Sequence, residues 1–184
     1  MNIFVLGADH EIQRVDAWRT DDMKREYRDL LTSVVGQHGV QFICEEANDM
    51  YQYVGQQITA SRGLPREWKN IDMPQEVREQ RGIAGEQNHR PVEPRLGIIQ
   101  SHVGDDGYYE RRENGEGRFY QRVPSDAVRE DYMVERAIEG AGNANSILVV
   151  CGHMHAPALA HRFTQAGHTA TVDMLHNYGW YSNQ

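Results

Sequence analysis

The chain has 184 residues, of which 39% are hydrophobic and 25% are charged, which is the size and composition of one ordinary globular domain. Lysine and arginine number 19 against 27 aspartates and glutamates, giving a formal charge of -8, and no basic run is present that could follow a phosphate backbone. The apolar runs are far shorter than the roughly 20 residues that a membrane-spanning helix needs. We therefore expect a soluble, cytoplasmic protein whose partners include neither nucleic acid nor membrane.

Three short apolar runs are predicted to form strands. They cover residues 2–6, 40–44 and 146–151, and such nearly continuous, β-branched runs are typical of strands buried on both faces of a parallel sheet. Weaker strand candidates are residues 96–100 and Thr169–Met174. Cys44 and Cys151 each end one of the strong runs, so we expect both thiols to be reduced and buried.

Segments with a helical period alternate with these strands. The first has Thr20 as its N-cap, ends at Gly36 or Gly39, and carries an apolar stripe made of Met23, Tyr27, Leu30, Leu31 and Val34. A second helix covers residues 126–140, and a third begins at Pro157 and ends at Gly167. The alternation predicts a single α/β domain over residues 1–184, a three-layer sandwich with a mainly parallel central sheet and helices on both faces.

The middle third, residues 62–124, has a different composition. It is rich in charge, glycine and proline, and residues 108–122 resemble an exposed hairpin that turns at Asn114-Gly115. We interpret this part as an insertion with one or two strands that forms a lid over the site. Residues 104–124 should accordingly be the most mobile part of the chain and should border the site.

Ionisable side chains follow all three confident strands. The carboxyl ends of parallel strands meet at one edge of a sheet, where ligands usually bind, and the residues delivered there are Asp9, His10, Glu45, Glu46, His153 and His155. Arg129, in the first turn of the second helix, should lie at the same edge and could pair with the glutamates or bind a substrate oxyanion or carboxylate. His102 is a weaker candidate, after a weaker strand. The sequence therefore predicts a site at this edge of the sheet.

These residues together resemble a known family. Gly7-Ala8-Asp9-His10 and Gly152-His153-Met154-His155 are Gly-x-x-His motifs at strand ends, and Glu45-Glu46 and Arg129 lie between them in sequence. This arrangement is similar to that of the Tiki/TraB superfamily, which includes erythromycin esterases and ChaN-like haem-binding proteins. The resemblance covers the first 50 residues and residues 125–172, so the chain would be a trimmed core of that fold.

The resemblance implies hydrolysis of an ester, lactone or amide bond in a small-molecule or peptide substrate. In one version a divalent zinc, manganese or iron ion is held by ligands from His10, Glu45, His153 and His155, and the second glutamate accepts a proton from the bound water. In the other version His10 is the general base, oriented by Glu45 or Asp9, and Arg129 stabilises the oxyanion. Which histidine of the second motif and which glutamate take part stays open.

Catalytic roles are thus predicted for His10, Glu45, Glu46 and Arg129, and substrate binding for Asp9, His102 and Arg129. No Gly-x-Ser-x-Gly elbow is present, which argues against a serine nucleophile. The alternatives are a non-catalytic protein that binds a metal, haem or another small ligand, and a structural ion-pair network. Whether the chain forms a homodimer is also open at this point.

Overall fold

The computed structural model describes residues 1–16, 20–48, 50–61, 67–83, 98–104, 107–112, 117–121 and 124–182. Its strands are β1 (Asn2–Ala8), β2 (Phe42–Glu45), β3 (Glu67–Asn70), β4 (Ile98–Gly104), β5 (Gly107–Arg112), β6 (Gly117–Gln121), β7 (Ser146–Gly152) and β8 (Thr169–Met174). Its α-helices are α1 (His10–Gln13), α2 (Asp21–Gln37), α3 (Val54–Ala60), α4 (Gln75–Gln80), α5 (Pro124–Ala141), α6 (Ala156–Gln165) and α7 (Gly179–Ser182). A 3₁₀ turn covers Leu175–Asn177.

Five of the strands form one sheet in the order β3-β2-β7-β1-β8, and every neighbouring pair in it is parallel. The three strongest strand predictions, β1, β2 and β7, are adjacent at its centre. The predicted α/β fold with a parallel central sheet is therefore confirmed, and the predicted strand Thr169–Met174 is confirmed at its edge.

Helices cover both faces of this sheet. Buried residues of α5 and α6, such as Met133 and Phe163, pack against Ile147 and Val149 of β7 on one face. On the other face, Tyr27 and Leu31 of α2 and Ile58 of α3 pack against alternate strand residues such as Leu148. Successive strand side chains point to opposite faces, so the central strands read as continuous apolar runs with a helical layer on each side.

The chain leaves the two central strands in opposite directions. After β1 it passes through α2 to β2, two places to one side, and after β7 it passes through α6 to β8, two places to the other side. The two connections also lie on opposite faces of the sheet. Adjacent strands with divergent connections leave a crevice at their carboxyl ends, which is where ligands bind in open α/β sheets. The loops that begin at Asp9 and His153 flank this crevice.

The middle third differs from its prediction. We expected one or two strands, but the described residues of this part contain four: β3 at the edge of the parallel sheet, and β4, β5 and β6 in a separate antiparallel sheet. The predicted strand at 96–100 is observed as Ile98–Gly104, and the hairpin expected at 108–122 is β5 and β6, while its turn lies outside the described residues. The low apolar content of this part is compatible with an antiparallel sheet, because such a sheet can leave one face in water and so needs fewer apolar residues.

Two smaller expectations are also resolved. Cys44 and Cys151 are both buried and unbridged, as predicted. The helix α2 continues through Gly36 and ends before His38, and Gly39 then takes a positive φ of 56°, so Gly39 is the residue that marks the turn. Within the described part of the chain, no helix is long and apolar enough to cross a membrane.

Candidate active site

A buried carboxylate, Glu46, lies at the carboxyl edge of the central strands. It follows β2 directly, and its backbone N–H donates to the carbonyl of Val150 in β7, which fixes the chain at this point. Its Oε2 accepts a hydrogen bond of 2.7 Å from the backbone N–H of Gly152, the last residue of β7. The backbone of Glu46 is thus held by Val150 and its side chain by Gly152, both in the neighbouring strand β7.

Two histidines approach the same oxygen of this carboxylate. The Nε2 atom of His10 and the Nε2 atom of His155 each lie 3.7 Å from Oε1 of Glu46. His10 begins α1 just after β1, and His155 caps α6 just after β7. The side chain of His10 is 38% exposed and that of His155 only 5%, so the group is open to solvent on the His10 side.

Gly152 provides the room for this arrangement. A Cβ atom built there would lie 3.0 Å from Nε2 of His10 and 3.4 Å from Oε2 of Glu46. Any side chain would push the imidazole or the carboxylate away from its present position. The glycine that begins the Gly152-His153-Met154-His155 motif is therefore required locally, because a side chain there would collide with His10 and Glu46.

Arg129 of α5 completes the surroundings of the carboxylate. Its Nη2 donates to Oε1 of Glu46 and to Oδ1 of Asp72, both at 2.9 Å. Asp72 in turn pairs through Oδ2 with Arg78 of α4. The predicted contact between Arg129 and a glutamate is therefore present, and it joins α4 and α5 to the edge of the sheet.

The charges of this group explain its electrostatics. Burial alone would raise the pKa of Glu46, but His10, His155, Arg129 and the Gly152 N–H outweigh burial and hold it well below its usual range. The neighbouring carboxylates Glu46 and Asp72 likewise raise the pKa of Arg129 against the opposing effect of its burial. Glu46 is accordingly an anion in the folded protein at neutral pH.

A second carboxylate, Glu130, contacts the Nδ1 side of the His155 ring. Its Oε1 lies 3.0 Å from Nδ1 of His155, and its side chain is fully buried. Its other oxygen lies 3.3 Å from Nη2 of Arg162 in α6. The imidazole of His155 therefore lies between two carboxylates, with Glu130 3.0 Å from Nδ1 and Glu46 3.7 Å from Nε2.

Glu45, the other acid of the predicted pair, faces the opposite side of the sheet. Its Oε2 accepts from the indole N–H of Trp68 at 2.9 Å and from the backbone N–H of Gly55 in α3. Burial raises the pKa of Glu45 to about 8, although these two hydrogen bonds partly oppose the shift. Its Oε1 has no hydrogen-bond partner among the described residues. Of the two acids, it is therefore Glu46 that lies between the two histidines.

His153 and Asp9 also have contacts away from Glu46. The ring of His153 stacks on His176, with centroids 5.5 Å apart, and lies 6.3 Å from the ring of Tyr181. Asp9 caps α1 through the N–H of Glu11 and accepts at 3.2 Å from the hydroxyl of Tyr181. In the second motif the ring of His155 lies 3.7 Å from Glu46, and the ring of His153 stacks on His176.

Of the predicted site residues, the structure brings together His10, Glu46, His155 and Arg129. It places Glu45 on the α3 side and His153 and Asp9 against the segment after β8, and the side chain of His102 lies outside the described residues. Sequence reasoning missed Asp72 and Glu130. For Glu130 a signal was available, because Asp126 and Glu130 continue the buried stripe of Met133 and Ala137 toward the start of α5.

The metal ligands predicted from the sequence are His10, Glu45, His153 and His155. Within the described part of the chain, no group of three or more His, Cys, Asp or Glu side chains is placed to hold a metal ion. The metal assignment stays a prediction from the sequence.

We compared the chain with protein families, curated proteins and solved structures. The chain matches no family model, no curated protein and no solved structure. Its function is therefore inferred from the geometry of the site.

Proposed function

We propose that the protein is a hydrolase that activates water between the two histidines and Glu46 and attacks an ester, lactone or amide carbonyl. The observation that carries this proposal is the common distance of 3.7 Å from both imidazole Nε2 atoms to one oxygen of Glu46. This separation is too long for a direct hydrogen bond, and a water molecule beside these groups could hydrogen-bond to the imidazoles and to the carboxylate. An imidazole in contact with that water is a suitable general base near neutral pH.

The reaction needs two proton transfers, and two imidazoles are present. One imidazole accepts a proton as the water oxygen bonds to the carbonyl carbon, and the C–O or C–N bond to the leaving group then breaks. The leaving alcohol or amine takes a proton from an imidazolium. Glu46, held as an anion, stabilises the positive charge that forms on the imidazole during the first step.

Arg129 has the charge needed for the oxyanion. Its guanidinium lies beside the same Glu46 oxygen, and its Nε has no hydrogen-bond partner among the described residues. A fixed cation next to the reacting carbonyl would stabilise the tetrahedral intermediate. The resemblance of the Gly-x-x-His motifs to the Tiki/TraB superfamily supports the same class of reaction.

The test is hydrolysis of a panel of aryl esters, lactones and amides by the purified protein and two single variants. His10→Ala and His155→Ala should each lower turnover by about a hundredfold or more, the usual effect of losing a general acid or base. His161→Ala is the matched control, because His161 is an exposed histidine on α6. Thermal unfolding of each variant would show that the fold is retained.

Two results would contradict the proposal. The first is full activity in both His10→Ala and His155→Ala. The second is a wild-type protein that hydrolyses nothing in the panel, both as purified and after metal analysis and supplementation with zinc, manganese or iron. Metal analysis of the purified protein also tests the metal prediction made from the sequence.

A further inference from the structure

The contact between Glu130 and His155 determines which ring nitrogen of His155 carries the proton. Glu130 is fully buried, its Oε1 faces Nδ1 of His155, and its Oε2 faces Arg162. A carboxylate paired with an arginine can only accept hydrogen bonds. The proton of a neutral His155 ring must then be on Nδ1, which leaves the lone pair on Nε2.

We infer that Glu130 is a positioning residue that fixes His155 in the Nδ1–H tautomer, so that His155 is the general base of the site. This inference rests on the proposed function for its catalytic part, but the tautomer itself does not. The lone pair on Nε2 is directed to the side where Glu46 lies at 3.7 Å. His10, with its 38% exposed side chain, is then left as the acid that protonates the leaving group.

Arg162 makes the inference unusually easy to test. Its Nη2 lies 3.3 Å from Glu130 and also donates to the carbonyl of Ala127, and a guanidinium has no acceptor to offer. In a Glu130→Gln variant the amide oxygen should therefore turn to Arg162 and the amide NH₂ to His155. A ring nitrogen that faces an NH₂ group must accept, so the proton of His155 should move from Nδ1 to Nε2.

The experiment is long-range ¹H–¹⁵N NMR of histidine side chains at pH 8, with the His155 signals assigned from their loss in His155→Gln. The wild-type protein should show His155 with a protonated Nδ1 and an unprotonated Nε2. Glu130→Gln should show the opposite tautomer, and Glu130→Asp, which keeps a carboxylate, should retain that of the wild type. His161, on the exposed face of the same helix, is the internal control and should not change.

An Nε2–H tautomer or a doubly protonated ring for His155 in the wild-type protein would overturn the inference. The wild-type spectrum decides even if Glu130→Gln fails to fold, and an unchanged tautomer in a folded Glu130→Gln would also overturn it.

Turnover gives a second readout once a substrate is found. Replacing the buried carboxylate of a catalytic histidine by an amide lowers kcat about 10⁴-fold in Ser-His-Asp enzymes because the wrong tautomer forms. A similar loss in Glu130→Gln, with KM little changed and partial recovery in Glu130→Asp, is expected. If the NMR result holds and no hydrolysis is found, the tautomer stands and the proposed function fails. If hydrolysis is found and the NMR result does not hold, the proposed function stands and the inference about the tautomer fails.

Discussion

Replacing Glu45 with glutamine should remove a loss of stability that the wild-type protein suffers as the pH rises. The carboxyl group is fully buried, and burial raises its pKa from an ordinary 4.5 to about 8. Below pH 4.5 it is protonated in both the folded and the unfolded chain. Between 4.5 and 8 the unfolded chain releases the proton while the folded protein keeps it, so the free energy of unfolding falls with increasing pH.

The size of the effect follows from the shift. Each unit of difference between the folded and unfolded pKa corresponds to about 1.4 kcal/mol. Between pH 5 and pH 8 the wild-type protein should therefore lose about 3 to 4 kcal/mol of stability through this one group. Glutamine has the same shape and no charge, so its oxygen can accept from Trp68 and Gly55 and the variant should lack this loss.

Urea unfolding of both proteins at several pH values between 5 and 8.5 measures the difference. The variant should be close to the wild type at pH 5 and clearly more stable at pH 8. Glu26→Gln, at an exposed position of α2, controls for the loss of one negative charge. If the stabilities of Glu45→Gln and the wild type change with pH in parallel, the carboxyl group of Glu45 is not kept protonated by the fold and the reasoning is wrong.

Three further outcomes are expected. Gly55→Ala should destabilise the protein by about 1 to 3 kcal/mol, because a Cβ atom there would clash with Oε2 of Glu45. Gly36→Ala in α2 should stabilise it by about 0.5 to 1 kcal/mol, because a Cβ atom there would have no neighbouring atom within 4 Å. Chemical denaturation of the two variants measures both effects. Tyr27→Phe should raise the melting temperature or leave it unchanged, because the buried hydroxyl has no hydrogen-bond partner among the described residues; a marked fall would show that the hydroxyl is bonded in solution. Both cysteines should react with a thiol reagent only after denaturant is added, since burial raises both thiol pKa values and leaves little thiolate; rapid native labelling would contradict this.

The sequence predicted the fold and the edge of the sheet at which the site residues gather, because both depend on patterns within single segments. Strand periodicity identified β1, β2 and β7, and the residues directly after them had to lie at one edge. The sequence analysis did not decide whether Glu45 or Glu46 lies on the α5 side of the sheet. Alternation along β2 places Ile43 and Glu45 on the α2 side and Cys44 on the α5 side, so the pattern could have favoured Glu46 as the partner of Arg129.

Other parts of the site depend on contacts that no local pattern reveals. Asp72 is a loop residue, and no local pattern indicates its contact with Arg129, 57 residues further along the chain. The different surroundings of His153 and His155, of which the first stacks on His176 and the second lies beside Glu46, also depend on contacts between distant parts of the chain. The expected lid and its mobility stay predictions, since residues 105–106, 113–116 and 122–123 lie outside the described part.

The strand order also determines when the site can exist during synthesis. The partners of β1 in the sheet are β7 and β8, so Asn2 pairs with Ser146 and Thr169. A growing chain therefore holds β1 without its sheet neighbours until β7 and β8 have been made, and such unpaired apolar strands are prone to aggregate. His10 and Glu46 are made early, but Gly152 and His155, which give them their geometry, emerge from the ribosome late. Contacts of such long sequence separation slow folding, and lower growth temperature or chaperone coexpression should raise the yield of folded protein more than it would for a fold that pairs its first two strands.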